Sequence, residues 1–262
     1  MLVRGAARTD LGKVRIKNED SFGFFPDRSF YVVADGMGGH AGGQIASALA
    51  IETMLRSIID TQTEDLTPLI DSEGRSCIGC RRLFLAIQQA NAAIWEKSYQ
   101  EPGLLGMGTT VAAILFEPQE NLASISHVGD SRVYHVRNHY IEQLTEDHSF
   151  VQQLFREGKL SLKEMKTSPQ RHILTRAVGI SPTVQPALVT AQLQLDDYFI
   201  LCSDGLHGVV SEEEILQTVE SNTENLQQAC DTLINLANER GGPDNCTMIL
   251  LRCEDSDEEG EE

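Results

Sequence analysis

Long hydrophobic runs are absent from this sequence of 262 residues. No apolar stretch reaches the roughly 18 residues that a transmembrane helix requires, and the N-terminus lacks the apolar segment of a secretory signal peptide. We therefore expect a cytoplasmic protein that makes no contact with a membrane. Hydrophobic residues still make up 41% of the chain, which is enough for the buried core of one large domain.

Positive charge is also scarce. Lysine and arginine number 21 against 39 aspartates and glutamates, so the formal net charge is -18. The last nine residues, 254–262, contain seven of these acids, and removing seven negative charges from -18 still leaves -11. Such a surface repels the phosphates of nucleic acids, so we do not expect nucleic-acid binding. The sequence predicts one domain over residues 1–253 and a disordered acidic tail over residues 254–262.

Cysteine occurs six times, but a C-x-x-C pair is formed only by Cys77 and Cys80. A structural zinc site would usually need a second close pair, so neither zinc binding nor redox use is expected here. The pair falls within residues 61–80, which have no clear period and are predicted to form a loop. The other four cysteines lie in apolar or helical surroundings that are typical of small core residues.

Short strand-like runs and amphipathic helical segments follow one another along the chain. Strands joined by links of a few residues must be antiparallel, because a parallel crossover needs a dozen residues or more. The predicted strands are 3–7, 22–25, 30–34, 109–116, 122–128, 132–136, 184–190, 198–202 and 246–252. The predicted helices are 44–60, 83–99, 149–157, one that starts at a capping box of Ser211 and Glu214, and a last one around 226–237. This pattern favours an α+β fold in which helices cover an antiparallel core.

Acidic residues recur where apolar runs end, beside glycine or another turn residue. They are Asp35, Asp130, Asp204 and Asp244, together with Glu19 and Asp20 before the second strand. Strand ends at one edge of a sheet come together in space, and neighbouring carboxylates repel unless a cation neutralises them. Oxygen ligands select hard cations such as Mg²⁺, Mn²⁺ or Ca²⁺. The spacing of an EF-hand is absent, which disfavours a calcium sensor.

Two further residues have side chains suited to phosphate chemistry. Arg15 precedes Glu19 by four residues and offers a guanidinium fork for phosphate oxygens. His40 follows Asp35 by five residues in a glycine-rich loop and can carry a proton for a leaving group. Taken singly, an arginine or a loop histidine is more simply explained as a surface residue.

Seven motifs occur in order between residues 9 and 245. They are Thr9-Asp10-x-Gly12-x-x-Arg15-x-x-Asn18-Glu19-Asp20, Val33-Ala34-Asp35-Gly36-Met37-Gly38-Gly39-His40, Gly108-Thr109-Thr110, His127-Val128-Gly129-Asp130-Ser131-Arg132, Leu144-Thr145-x-Asp147-His148-Ser149, Leu201-x-Ser203-Asp204-Gly205-Leu206 and Gly242-x-Asp244-Asn245. In this combination the sequence resembles the type 2C metal-dependent protein serine/threonine phosphatases, and in particular their bacterial single-domain branch.

The resemblance implies a four-layer α-β-β-α sandwich, with two central antiparallel sheets flanked by helix pairs and metals in a cleft at one end. The implied activity is hydrolysis of phosphoserine and phosphothreonine in proteins by a water activated between two divalent cations, Mn²⁺ or Mg²⁺. The implied partners are a phosphoprotein substrate and a cognate serine/threonine kinase, and we expect the protein to be a monomer.

The resemblance also implies roles for individual residues. Asp35 matches the carboxylate that bridges the two ions, and the carbonyl of Gly36 matches a ligand of one of them. The positions that match the group around the other ion are Glu19, Asp20, Asp204 and Asp244. Arg15 matches the arginine that binds phosphate, and His40 matches the histidine proposed as the general acid.

Two parts of the resemblance are less complete. Asp130 and Asp204 match the positions that hold a weaker third ion in bacterial members. However, Gly208 stands where many members have an aspartate. We therefore expect this ion to need millimolar metal or to be absent. Residues 157–171 match the mobile flap beside the active site, where the bases Lys159, Lys163 and Lys166 are candidates for substrate selection; an ordinary solvated loop is the alternative.

Three other functions have some support in the sequence, but less than the phosphatase. Cys246 and Arg252 match the C-x5-R pattern of cysteine phosphatases, but the apolar, β-branched stretch between them is typical of a strand. A glycine-rich turn over residues 36–41 resembles a dinucleotide-binding turn, but the alternating β and α units of that fold do not follow. The intact carboxylates disfavour a binding module that has lost its metals.

Overall fold

The computed structural model describes residues 1–38, 42–63, 66–71 and 74–255. His40 and residues 256–262 of the predicted acidic tail therefore lie outside the described residues. Glu254, where the predicted tail begins, is the last residue of a strand and pairs with Leu2. Within the described ranges, no helix is both long and apolar enough to cross a membrane.

The strands form two main antiparallel sheets. Their bounds are β1 Leu2–Asp10, β2 Asp20–Phe25, β3 Phe30–Met37, β4 Leu69–Ile70, β5 Ser76–Cys77, β6 Gly108–Thr109, β7 Val111–Glu117, β8 Leu122–Val128, β9 Arg132–Arg137, β10 Tyr140–Gln143, β11 Ala187–Gln192, β12 Tyr198–Cys202 and β13 Cys246–Glu254. One sheet has the strand order β1-β13-β12-β9-β10, and the other has the order β11-β8-β7-β3-β2 with β6 also paired to β3. A separate small hairpin pairs β4 with β5.

Helices cover the outer face of each sheet. Their bounds are α1 Gly42–Asp60, α2 Ile78–Gln100, α3 Phe150–Arg156, α4 Leu162–Thr167, α5 Asp204–His207, α6 Glu212–Glu220 and α7 Leu226–Glu239. The long helices α1 and α2 pack against each other and against the sheet that contains β3. Helices α6 and α7 pack against the sheet that contains β13.

Strand β3 shows how the layers are held together. Phe30 and Val32 pack toward α1 and α2, whereas Tyr31 and Val33 pack into the space between the two sheets, and all four are buried. Successive side chains of a strand point to opposite faces, so a strand with both faces covered must be apolar throughout. The arrangement confirms the predicted four-layer α-β-β-α sandwich.

The prediction of a loop over residues 61–80 is partly wrong. It contains the β4–β5 hairpin and the first residues of α2, which begins at Ile78 rather than near residue 83. The Sγ atom of Cys77 accepts a hydrogen bond from the Cys80 N–H and caps this helix, and cysteine is not among the usual capping residues.

Two capping boxes define shorter helices. The predicted box of Ser211 and Glu214 is confirmed at the start of α6. A second box, of Ser161 and Glu164, begins α4 inside residues 157–171, the segment that matches the family's flap. In both, the serine accepts from the glutamate N–H while the glutamate side chain reaches back to the serine N–H, which stabilises the first turn.

Candidate metal and phosphate site

Antiparallel pairing brings the predicted acids to one edge of the sandwich. Asp20 begins β2 and pairs directly with Asp35 on β3. Asp130 comes two residues after the end of β8, Asp204 two residues after the end of β12, and Asp244 two residues before β13. Because neighbouring antiparallel strands run in opposite directions, the end of one meets the start of the next. Residues from distant segments therefore meet here.

A cavity of about 630 Å³ opens at this edge. The predicted site residues that line it are Arg15, Glu19, Asp35, Gly36, Asp130, Asp204 and Asp244. Asp20 is almost fully buried beside Asp35, and His40 lies outside the described residues. The structure thus brings seven of the nine predicted residues to one cavity and places an eighth beside it.

Burial and mutual repulsion make three of these carboxyl groups hard to ionise. Burial, reinforced by the charges of Asp204 and Asp244, raises the pKa of Asp20 to about 7. Burial and the neighbouring aspartates, Asp20 first, raise the pKa of Asp35 well above its ordinary value. Burial followed by the charge of Asp204 raises the pKa of Asp130 to about 7. A bound cation would remove this repulsion.

Two carboxylate oxygens in the cluster fit a hard cation. The Oδ1 atoms of Asp20 and Asp204 are buried and have no hydrogen-bond partner among the residues that the structure describes, although buried polar atoms almost always have one. In the part of the chain that is described, no three His, Cys, Asp or Glu side chains already form a complete ligand set. The carboxylates would have to draw closer together, which their repulsion opposes until a cation arrives.

Asn245 joins three segments of the chain beneath the cavity. Its Oδ1 accepts from the Glu19 N–H at 2.8 Å, and its Nδ2 donates to the carbonyls of Leu11 and Lys17, each at 2.9 Å. These contacts fix the backbone that carries Glu19. Asn245 stands in one of the seven motifs, but no role could be assigned to it from sequence, since its partners lie more than 220 residues away.

Two threonines hold Asp35 in the same way. The Asp35 N–H donates to Thr110 Oγ1 at 3.0 Å, and the Asp35 carbonyl accepts from the Thr110 N–H and from Thr109 Oγ1, both at 2.8 Å. The next residue, Gly36, is packed so closely that a Cβ atom would lie 2.1 Å from the Gly43 carbonyl oxygen. Only glycine therefore allows α1 to start this close to the end of β3.

Arg15 lies at the open side of the cavity. Its Nη2 donates to Asp244 Oδ2 at 2.7 Å, and about half of its side chain (52%) is exposed. The hydrogen bond to Asp244 is the main cause that raises the pKa of Arg15. The guanidinium is thus permanently charged, partly hydrated and placed where a phosphate group could enter.

His172 is a neighbour of the cluster that sequence reasoning missed. Its Nδ1 lies 3.6 Å from Asp204 Oδ2, and it lines the cavity. Burial opposes ionisation of Asp204, but the neighbouring His172 and Asp35 side chains and the charge of His207 lower its pKa. This histidine directly follows the predicted flap over residues 157–171 and belongs to none of the seven motifs, so no pattern in the sequence pointed to it.

The ends of the predicted flap are tied to the rest of the domain. The Phe150 N–H donates to the Ile173 carbonyl, and the Thr175 N–H donates to the His148 carbonyl, both at 2.8 Å. Lys159 pairs with Glu157 at 2.5 Å, and the side chain of Lys166 lies outside the described residues. A role of this segment in substrate selection stays a prediction.

A second cavity of about 750 Å³ adjoins the first beneath α4. Its walls include Leu162 and Met165 of α4 and the partly buried ion pair of Arg132 and Asp147. Gly208 lines both cavities, so a side chain at this position would reach the boundary between them.

Known proteins resemble this chain in both sequence and structure. A family model described as Protein phosphatase 2C matches residues 13–241. The serine/threonine protein phosphatase PstP of Mycobacterium tuberculosis is 37% identical over 257 residues, which are 98% of this chain but 46% of that protein, so the chain spans about half the length of this relative. The serine/threonine phosphatase stp of Listeria monocytogenes is 38% identical over 248 residues, or 93% of each chain.

Solved structures agree with these matches. The crystal structure of Mycobacterium tuberculosis PstP/Ppp aligns with a TM-score of 0.85 and 37% identity, covering 97% of this chain and 100% of that one. The PstP catalytic domain in complex with two manganese ions aligns with a TM-score of 0.82 and 35% identity, covering 97% of this chain and 99% of that one. The resemblance expected from the seven motifs is thereby confirmed.

Proposed function

The chain belongs to the protein phosphatase 2C family, and we propose that it hydrolyses phosphoserine and phosphothreonine esters in proteins with two divalent cations. One observation carries the proposal. Carboxylates from separate segments converge on a single cavity. Asp204 at the cavity and Asp20 beside it each hold a buried oxygen that has no hydrogen-bond partner among the described residues. Arg15 lines the same cavity. Such a site combines ligands for hard cations with a fork for phosphate.

The chain offers enough oxygen donors for two Mn²⁺ or Mg²⁺ ions. We assign the Asp35 carboxylate to both ions and the Gly36 carbonyl to one of them. The acids assigned to the other ion, some of them through water, are Glu19, Asp20, Asp204 and Asp244. When bound, such a pair lowers the pKa of a water and offsets the charge on phosphoryl oxygens. Asp130 and Asp204 are assigned to a weaker third ion.

The protein residues around this centre would bind and orient the phosphate group. Arg15 Nη2 donates to Asp244 Oδ2 at 2.7 Å, and this donor would become available to phosphoryl oxygens if Asp244 were to hold a cation instead. A guanidinium can then donate two parallel hydrogen bonds to a phosphate. His40 is proposed to protonate the departing serine or threonine oxygen.

Two of the alternative functions find no support in the geometry. Cys246 lies within β13, which pairs with β1 and β12 on both sides, and burial raises the pKa of its thiol. Its backbone therefore belongs to a sheet and forms no phosphate loop. Gly36 and Met37, the first residues of the glycine-rich segment, end β3, whose neighbours β2 and β7 are both antiparallel, whereas a dinucleotide-binding turn belongs to a parallel sheet.

Hydrolysis of para-nitrophenyl phosphate and of a phosphothreonine peptide tests the proposal. We expect activity with Mn²⁺, loss of activity with EDTA, and no loss after thiol alkylation. Asp35→Asn should retain less than a tenth of the wild-type rate, a barrier increase above about 1.4 kcal/mol, while its circular dichroism is unchanged. Asp60→Asn, at an exposed position at the end of α1, is the matched control and should behave as wild type. A rate above one tenth in Asp35→Asn would contradict a bridging role.

The biological setting is part of the same proposal. A protein phosphatase needs a substrate phosphorylated by a kinase, so we propose that the chain opposes a serine/threonine kinase in cytoplasmic signalling. We also propose that it acts as a monomer. Light scattering of the purified protein measures the molecular mass, and a stable dimer would refute the latter point.

A further inference from the structure

The C-x-x-C pair occupies the N-terminus of the 23-residue helix α2. Cys77 is its N-cap and Cys80 lies in its first turn, and both are free thiols with 2% and 0% exposure. Cys77 Sγ accepts from the Cys80 N–H at 2.9 Å. The N-terminus of a helix stabilises negative charge, which favours a thiolate at Cys77.

A buried serine and a partly buried glutamate continue the contact from Cys77. Ser124 Oγ lies 3.0 Å from Cys77 Sγ and donates to Glu117 Oε2 at 2.7 Å. Because Ser124 gives its hydrogen to the carboxylate, the Cys77 S–H is the donor toward Ser124. Gly79 leaves room for this carboxylate, since a Cβ there would lie 2.2 Å from Glu117 Oε2. Glu117 is thus placed to take up the Cys77 proton through Ser124.

The ionisation of the two thiols supports an unequal pair. Hydrogen bonding from Cys80 is the main cause that lowers the pKa of Cys77, whereas hydrogen bonding to Cys77 and burial raise the pKa of Cys80. Burial also raises the pKa of Glu117, which favours proton uptake by that carboxylate. By contrast, burial raises the pKa of Cys230 to about 12. A lowered pKa thus distinguishes Cys77 from an ordinary core thiol.

We propose that Cys77 and Cys80 form a reversible dithiol–disulfide couple, a redox modification site distinct from the carboxylate cavity. The Cys77 thiolate attacks one sulfur of a low-molecular-weight disulfide such as oxidised glutathione, and the other sulfur leaves as a thiolate that takes a proton from water. The Cys80 sulfur then attacks Cys77 Sγ in the mixed disulfide, so that the Sγ–Sγ bond forms and the second thiol leaves. The protein loses two electrons and the small disulfide gains them. The Cys77 proton passes through Ser124 to Glu117, and the Cys80 proton goes to the leaving thiolate.

The couple lies at the opposite end of the sheet from the metal and phosphate site. Leu115 pairs with Phe30, and Glu117 lies two residues further along β7, away from Asp35 at the other end of β3. At about 3.3 Å per residue, Glu117 and Asp35 are roughly 20 Å apart. Because of this distance, phosphatase activity is a poor readout of the couple. Protein stability is a poor readout too, because the loop closed by C-x-x-C is short and its entropic effect on the unfolded chain is small. The decisive measurement is therefore the oxidation state of the two thiols.

The full-length protein should be equilibrated in buffers with graded ratios of reduced and oxidised glutathione, quenched in acid, unfolded, alkylated and mapped by mass spectrometry. We expect Cys77 and Cys80 to lose alkylation together, in a peptide lighter by two hydrogen atoms, and to regain it on reduction. Cys230 should stay alkylated throughout as the internal control. Cys77 and Cys80 that stay alkylated at every ratio, or carry only separate glutathione adducts, would overturn the couple.

A variant pair tests the assigned proton path. Ser124→Ala removes the hydroxyl between Cys77 and Glu117 and should slow oxidation at least severalfold. Ser126→Ala, on the same strand, removes a buried hydroxyl that donates to the Ala187 carbonyl instead, and should oxidise at the wild-type rate. Equal rates in the two variants would refute the path through Ser124. Phosphatase activity measured in the same samples reports on the carboxylate cavity and is independent of these outcomes.

Discussion

Replacing Arg15 with lysine should weaken phosphate binding while leaving the metal ligands in place. The Arg15 guanidinium lines the cavity and uses Nη2 to contact Asp244 at 2.7 Å. A guanidinium has five N–H donors in a rigid fork, whereas a lysine ammonium is a single point of charge. The substitution keeps the positive charge next to Asp244 and removes the paired hydrogen bonds to phosphate.

The size of the effect follows from the lost hydrogen bond. A hydrogen bond to a charged group contributes about 1.5–3 kcal/mol, which corresponds to a decrease in kcat/KM of about 10- to 100-fold for Arg15→Lys. Arg15→Ala also loses the charge and should lose more. The free energy of unfolding should change by less than about 1 kcal/mol, because the ion pair with Asp244 is half-exposed and screened by solvent.

The assay is hydrolysis of a phosphothreonine peptide over a series of Mn²⁺ concentrations. Arg56→Lys is the matched control, since Arg56 is an exposed arginine on α1 that also pairs with an acid, Glu52, at 2.8 Å. The reasoning fails if Arg15→Lys stays within twofold of the wild-type kcat/KM. It also fails if excess Mn²⁺ restores the rate, because Arg15 would then act only by positioning Asp244.

Three further predictions concern stability and metal affinity. Asp197 is fully buried and accepts two hydrogen bonds of 2.6 Å from Arg137, which help to lower its pKa against the opposing effect of burial. A carboxylate with a lowered pKa stabilises the fold above its ordinary pKa of 3.8. Urea titrations should therefore show Asp197→Asn less stable by about 2 kcal/mol at pH 7, with the difference shrinking as the pH falls below that value; a constant difference would refute the linkage. Asn245→Ala removes three hydrogen bonds around the Glu19 backbone and should raise the Mn²⁺ concentration for half-maximal activity severalfold, so an unchanged value would mean that this scaffold does not position the ligands. Gly208→Asp adds a carboxylate where both cavities meet and should lower the Mn²⁺ requirement in the same assay, and no change would refute the assignment of a weak third ion.

The acids of the site could be predicted from sequence because two independent patterns, one in the apolar runs and one in the lengths of the links between them, indicate the same residues. An apolar run that stops at an aspartate marks a strand end, and short links between runs require antiparallel neighbours. Asp20 and Asp35 show the consequence, since they are paired across β2 and β3. Repulsion among carboxylates then predicts a cation without any knowledge of distances.

Other parts of the site and fold depend on contacts that no local pattern contains. Asn245 and His172 act through partners from other segments, at Glu19 and Asp204. The start of α2 was missed for the same reason. Gly79 weakens a helix by intrinsic propensity, but the Glu117 carboxylate lies so close that a Cβ atom does not fit. A tertiary contact thus outweighs local preference at this position.

The candidate ligands come from both sheets, and this explains why no single segment could identify the site. Asp20 and Asp35 belong to one sheet, whereas Asp204 and Asp244 flank strands of the other. Direct contacts already join the sheets here, since Ser203 Oγ donates to Asp20 Oδ2 at 2.8 Å. The apolar layer between the sheets fixes their separation along the rest of the strands. Repulsion among the acids acts only at the edge, where a cation shared by both sheets would turn it into attraction.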